Sequence, residues 1–472
     1  VTHRGNRLEA RCTALHRDAD PAPLPLDVDA AVAARCRSLR VPDVSGAVHG
    51  FDGSAPALDG ETALDGDGHW LRLDGDAHGV LRFDGPATVR TDHGGVTLSF
   101  PERTHVTLGL CTRRRAPTAA LTVPPTPSGV ATAVTHAAAA HRTTAPVRSL
   151  PGLCRHPPAV TLGETDIPAA VGDATPDTGI EFVVPDDLGD TLVLAPLAYY
   201  LGADLSVAAG TRPRLTVPGA GIDRVLSPLP EVSSAMLRRV FFLDCLVRPA
   251  AAPGLAGADL LGRLGLDAPS LRAASPAERL AAYLDAPVGD IDADLPAWHL
   301  ATYAAPTETA VQCLPALLDR RSLVYPPESA PLEGRELIER SLDDFYRGGG
   351  RVDVSKPVLR RGELHGWLAP STPIDVFDCD PRAYDHRPAA GDASFRVEVV
   401  RNDDEMAGED DDAAAAYGAR DAPASVSVRR DLSRRELADV FASDADLVHF
   451  IGHCEDEGLQ CADGYLAVDD LA

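Results

Sequence analysis

The feature that most restricts the fold is an alternation of elements near the end of the chain, between Ser394 and Ile451. Phe395-Arg-Val-Glu-Val-Val400 reads as a strand, with Phe395, Val397 and Val399 on one face. Asn402, followed by Glu405 three residues later, has the spacing of a capping box. It predicts a helix that runs to Tyr417 and stops at Gly418. Ala424–Val428 is a second strand. Ser433 and Glu436 form a cleaner capping box, with Leu432 placed to staple onto Leu437. Leu437, Val440 and Phe441 have the spacing of one buried stripe. Asp446-Leu-Val-His-Phe-Ile451 follows, short and almost wholly apolar, as suits the centre of a parallel sheet. The β-α-β-α-β order predicts an open, mainly parallel sheet with helices on both faces.

In such sheets chemistry gathers beyond the carboxyl ends of the strands. Gly452-His453-Cys454 lies at that place, and Gly452 lets the chain leave the strand sharply so that His453 stands over the sheet edge. Gly458 and Asp463-Gly464 then punctuate a small hairpin, Leu459-Gln-Cys461 returning through Tyr465-Leu466. The run Asp446-Leu-Val-His-Phe-Ile-Gly-His453, with Gly458-Leu459 and Asp463-Gly-Tyr-Leu466, resembles the CHAT family of caspase-like domains. Val399-Val-Arg-Asn-Asp403 and Met406 resemble the first strand and helix start of that family. The resemblance covers residues 392–472, the N-terminal part of such a domain.

Carried over by position, the resemblance implies that His453 is the general base of a Cys–His dyad in a cysteine endopeptidase. A thiol becomes a good nucleophile once an imidazole takes its proton or stabilises its thiolate. The backbone N–H of Cys454 would help to form the oxyanion hole, at a position where the family usually has glycine. The nucleophilic cysteine is expected on the next long strand, beyond Ala472, which leaves this chain inactive by itself. Cys454 is badly placed to meet His453, because neighbours on an extended chain point to opposite sides. Cys461 lies on the hairpin and could approach only by folding back. The substrate implied is a protein or peptide.

Other readings of the same residues stay open. His449, His453, Cys454 and Cys461 could compose a zinc site. H-x-x-x-H marks metal on a helix rather than a strand, so His449 is read as a core histidine bonded to a neighbour and no metal is expected. The domain could also be a non-catalytic scaffold that keeps the caspase-like frame for protein interaction. The acidic run from Glu405 to Asp412 could favour basic peptides, or could be a solvated helix face. Residues 392–472 hold 21 acids and 7 arginines, a net of −14 within the chain's −26.

Composition bounds the rest. Lys356 is the only lysine, and Asp far outnumbers Glu, as salt adaptation in an archaeal-type, halophilic protein would produce. Without a basic stripe a nucleic-acid partner is not expected, and without G-x-x-x-x-G-K-[ST] neither is a P-loop. Nine scattered cysteines argue for reduced thiols and a cytoplasmic setting rather than a disulfide framework. No apolar run approaches the roughly 18 residues of a membrane helix, so no membrane partner is expected. The longest candidate, Val240–Val247, is interrupted by Asp244.

The expected architecture is an α/β C-terminal domain preceded by a β-rich region and a mixed α/β region. Residues 1–115 read as the β-rich region, with one short helix near Ala30–Leu39 and strands at His69–Leu73, Val80–Phe83, Val96–Phe100 and Val106–Leu110. An apolar residue followed by Asp-Gly recurs at Phe51, Leu58, Leu64, Leu73 and Phe83. These pairs are read as hairpin turns, with calcium turns the alternative. Residues 116–179, rich in Pro, Ala and Thr, read as a linker with irregular structure. Residues 180–390 read as mixed α/β, with strands at Glu181–Val184 and Arg214–Val217 and helices at Thr191–Leu201, Ser233–Val247 and Gly334–Tyr346. Pro218-Gly-Ala-Gly221 lacks the third glycine of a dinucleotide loop, so no cofactor is expected there. A regulatory partner for the N-terminal region is an expectation from architecture alone.

Overall fold

The computed structural model describes residues 2–3, 6–16, 20–24, 27–42, 44–50, 61–74, 78–92, 95–111, 116–150, 154–248, 258–287, 295, 297–332, 354–374, 376–379, 395–419, 424–455 and 457–467. The protein is mixed α/β with several sheets, some of them parallel. It divides into two compact units, Val1–Ser329 with Pro357–Pro381, and Ala330–Lys356 with Arg382–Ala472. The helix expected at Gly334–Tyr346 lies outside the described residues, as do the Asp-Gly pairs after Phe51 and Leu58. Among the described residues no helix is long and apolar enough to cross a membrane.

The first unit opens with an antiparallel sheet of eight strands among the described residues. These are β1 (Arg11–Thr13), β2 (Ala30–Pro42), β3 (Ser45–Gly50), β4 (Glu61–Leu64), β5 (His69–Asp74), β6 (His78–Phe83), β7 (Ala87–Asp92) and β8 (Gly95–Cys111). The short helix expected near Ala30–Leu39 is instead part of β2. Its register against β8 breaks between Ser99 and Thr104. Before the break Ala34 and Cys36 face the core, and after it Leu39 and Val41 do. A bulge changes which face successive residues occupy, and the resulting apolar spacing imitated a helix.

The Asp-Gly pairs are not uniformly hairpin turns. Leu73-Asp74 ends β5 before its antiparallel partner β6. Asp65-Gly66 and Asp84-Gly85, by contrast, lead between strands that pair elsewhere, since β4 pairs β7 and β7 pairs β8. Gly66 and Gly85 have φ of 94° and 89°, the conformation that glycine adopts at least cost. Asp84 Oδ1 accepts the Gly68 N–H at 2.9 Å.

Residues 116–179 are not an irregular linker. They hold β9 (Ala120–Val123), helix α1 (Pro127–Ala137) and β10 (Ala159–Leu162), with β9 and β10 parallel. Alanine disguises this segment, being both a good helix former and small enough to bury. Ala131, Ala133, Ala137 and Ala138 are all buried. Next come β11 (Glu181–Val184), α2 (Leu188–Leu201) and β12 (Asp204–Val207), a second parallel pair. Pro218–Gly221 is the tight turn of an antiparallel hairpin between β13 (Arg214–Val217) and β14 (Ile222–Val225). No helix follows it to offer a phosphate-binding N-terminus.

Helix α3 (Leu229–Val247) carries Asp244 fully buried. Its carboxylate accepts from Arg148 Nε at 3.0 Å, Tyr200 OH at 2.8 Å and Tyr283 OH at 3.0 Å. Tyr283 lies on α4 (Pro276–Asp285). A buried carboxylate is tolerable because it is paired and bonded, which explains a charge in the middle of an apolar run. A last parallel sheet completes this unit. It contains β15 (Leu300–Ala304), α5 (Glu308–Asp319), β16 (Leu323–Tyr325), β17 (Leu364–Leu368) and β18 (Phe377–Asp378). The strand order is β16-β15-β17-β18.

The second unit holds β19 (Phe395–Arg401), α6 (Glu409–Gly418), β20 (Ala424–Arg430), α7 (Arg434–Phe441) and β21 (Leu447–Ile451). β19 lies between β20 and β21, parallel to both. Val397 and Val399 pack on one face with Ala413 and Tyr417 of α6. Val400 packs on the other with Leu437 and Val440 of α7. Helices therefore cover both faces of a parallel sheet. Burying each valine contributes about 1.5–3 kcal/mol, and this alternation fixes the register.

Three local expectations differ. Phe395 and Phe441 are 47% and 37% exposed rather than buried. β21 is an edge strand in the described sheet rather than its centre. The first capping box does not form: Asp403 caps a 3₁₀ turn over Asp404–Met406, and α6 starts after Gly408. The second capping box forms as expected, with Glu436 N–H donating to Ser433 Oγ and Ser433 N–H to the Glu436 carboxylate.

Candidate functional site

All three parallel strands end at one edge, and the residues just beyond them converge. Asn402 N–H donates to Ile451 O at 2.9 Å, and Asp431 N–H donates to Arg401 O at 3.0 Å. These bonds continue the sheet one residue past the strands and bring Asn402-Asp403 beside Gly452-His453. Asn402 is only 8% exposed and joins three segments. Its Oδ1 accepts the Leu432 N–H at 2.7 Å, and its Nδ2 donates to Leu432 O at 3.1 Å and Gln460 O at 3.0 Å.

His453 meets Asp403 at this edge. Its Nε2 lies 3.0 Å from Asp403 Oδ2, with the imidazole half-exposed and the carboxylate 9% exposed. The other Asp403 oxygen accepts the Glu405 N–H at 2.8 Å, so the 3₁₀ turn orients the carboxylate. Arg401 supports the same loop, its Nη1 donating to Asp403 O at 2.8 Å and to Asp404 Oδ1 at 2.9 Å. With Nε2 against a carboxylate, a neutral ring carries its proton there and keeps the Nδ1 lone pair for a reacting group. Nδ1 has no partner among the described residues.

The hairpin beyond His453 consists of β22 (Cys454–Glu455), β23 (Gly458–Cys461) and β24 (Gly464–Leu466). Gln460 N–H donates to His453 O at 3.0 Å, while Cys454 is register partner to Leu459. Hydrogen-bonded and non-bonded pairs alternate along an antiparallel ladder. Cys454 therefore occupies a non-bonded position, and its N–H points away from β23.

The structure separates the remaining candidates. Cys454 is exposed, whereas Cys461 is buried among Val400, Leu437 and Leu466. Cys461 Sγ donates to Leu459 O at 3.5 Å, and burial pushes its thiol pKa up. That is the environment of a structural rather than a reactive cysteine. His449 Nδ1 lies 3.1 Å from Tyr417 OH, the hydrogen-bonded neighbour expected of it. Among the described residues no three His, Cys, Asp or Glu side chains gather as a metal site.

The acidic run is only partly a solvated face. Asp410 is buried and accepts from Arg430 Nε at 2.5 Å, while Asp411 Oδ1 accepts from Arg430 Nη2 at 3.0 Å. Burial opposes ionisation of Asp410, but the Arg430 guanidinium outweighs it and holds the carboxyl below its ordinary pKa. Acids in the first turn also suit the positive end of α6.

Asp403 and Asn402 are the residues whose roles the sequence did not reveal. Both sit where a first strand ends, a position that signals proximity to chemistry, but partners 30 to 58 residues away have no local signature. No family model, curated protein or solved structure matches the chain.

Proposed function

We propose that the second unit contributes the base half of a caspase-like cysteine endopeptidase site. The observation that carries this reading is His453 Nε2 lying 3.0 Å from the buried Asp403 carboxylate, at the carboxyl edge of a parallel sheet. His453 takes the thiol proton on Nδ1, and the thiolate attacks the scissile carbonyl. Asp403 holds the ring orientation and stabilises the imidazolium that forms. The outward N–H of Cys454 is available to the developing oxyanion. The resemblance to CHAT domains supplies the missing partner, a cysteine on a strand outside residues 1–472. Neither Cys454 nor Cys461 fits that role, because one alternates away from His453 and the other is in the core.

The test is to express the gene read past the codon for Ala472 and assay peptide cleavage under salt that keeps the protein folded. His453→Ala is expected to abolish cleavage. Asp403→Asn should lower kcat by on the order of 10²- to 10⁴-fold and reshape the pH profile, because the ring loses its counter-charge. A continuation lacking a cysteine at a strand end, or cleavage indifferent to His453→Ala, sinks the peptidase reading. The caspase-like frame would then serve as an interaction scaffold.

A further inference from the structure

A second site lies in the other unit, remote in sequence from His453. A cavity of about 470 Å³ is lined by Glu231, Ser234, Ala235, Arg238, Tyr325, Leu359, Arg360 and Arg361. That volume suits a small-molecule ligand. Three of these eight residues are arginine, in a chain where Lys and Arg together make 44 of 472 residues and the net charge is −26. Positive charge is concentrated here against the trend of the whole molecule, so the cavity favours an anion.

Its walls are held in place before any ligand arrives. Tyr325, which lines the cavity, is almost fully buried and stacks with its buried register partner Tyr303, ring centroids 5.9 Å apart. Arg360 N–H donates to Tyr303 OH at 2.6 Å, which ties the Leu359–Arg361 segment to that pair. The Arg360 guanidinium lies 5.9 Å from the Tyr325 ring centroid and pairs with Glu231 and Glu328. Those carboxylates fix its orientation and largely neutralise it. Arg361 differs: it is exposed and has no hydrogen-bond or ion-pair partner among the described residues. Arg238, only 6% exposed, brings a further guanidinium to the wall.

We propose that this cavity binds a phosphorylated small molecule of nucleotide size. Arg361 takes the phosphates, Arg238 adds positive charge to the wall, Arg360 positions the segment, and Ala235 and Leu359 contact the body. Arginine offers a planar fork of donors that matches phosphate oxygens.

Calorimetric titration of the whole chain tests this, with inorganic pyrophosphate and ADP as probes and adenosine as the uncharged control. Circular dichroism confirms folding at the salt used. ADP and pyrophosphate are expected to bind once per chain, and adenosine much more weakly. Arg361→Ala should weaken ADP binding by about tenfold or more, and Arg361→Lys should restore part of it. Tighter binding of ADP than of pyrophosphate would show that the nucleoside part also contacts the cavity. The proposal is overturned if neither anion binds at about 1 mM, or if Arg361→Ala and Arg238→Gln leave ADP affinity unchanged. Arg361 is exposed, so its replacement tests the site without disturbing the core.

Discussion

At the residue scale the site depends on two side chains with different tasks. Asp403 faces His453, whereas Asn402 faces inward and ties three chain segments together with three hydrogen bonds. Removing a buried partner leaves backbone groups unsatisfied, which costs more than the mean value of a hydrogen bond. Asn402→Ala should therefore destabilise the second unit by about 2–4 kcal/mol, measured by urea unfolding. An unchanged unfolding midpoint would show that water replaces the amide at no cost. Neither residue's role was legible in the sequence. Asn402 with Glu405 looked like a capping box, and the true cap is one residue later because Asn402 is consumed by contacts with Leu432 and Gln460.

At the element scale the strands and helices of the second unit follow closely from periodicity. Val397 and Val399 go to one face and Val400 to the other, and the Ser433–Glu436 box closes where its spacing places it. Elements rich in alanine, or crossed by a bulge, do not follow from periodicity. Ala30–Leu39 has helical spacing only because β8 breaks register opposite it. In the hairpin after His453, Gly458 has no room for a side chain. Gly458 has φ of 125°, and a Cβ there would stand 2.0 Å from Leu466 O. Gly458→Ala should destabilise the unit by about 2–4 kcal/mol and loosen the hairpin that holds His453 O through Gln460. Amide exchange at Gln460 reads that loosening directly. Protection equal to the parent's would mean that the hairpin does not depend on this backbone conformation.

At the scale of the whole molecule, charge and burial pull pH dependence in opposite directions. Acidification reduces a net charge of −26 and with it self-repulsion. A half-buried neutral histidine acts against this. His141 packs on Tyr199, with ring centroids 4.6 Å apart, and its pKa is pushed down to about 3 by burial and then by Arg148 and Arg321. In the unfolded chain it titrates near pH 6.5. The unfolded state therefore binds the extra proton between those values, and stability falls as pH drops from about 6.5 toward 3. Above pH 6.5 the contribution is constant. His141→Gln should flatten the fall in stability between about pH 6.5 and 4, by a few kcal/mol at the acid end. Parallel stability–pH curves for parent and variant would mean that His141 does not remain neutral in the fold. The buried Asp244 side chain, by contrast, is held inside by hydrogen bonds from Arg148, Tyr200 and Tyr283.

What the sequence determined by itself is local: strand and helix periods, the second capping box, the glycines at tight turns, and the placement of His453 just past a strand. These depend on neighbours within a few residues, where spacing alone sets geometry. Tertiary structure decided the partners. Asp403 for His453, Tyr417 for His449, Arg430 for Asp410 and three donors for Asp244 are pairs between distant positions. So are the arginines around the cavity of the first unit, drawn from one helix and from a segment more than a hundred residues later. Such contacts arise when separate strands and helices pack, and no local spacing encodes them.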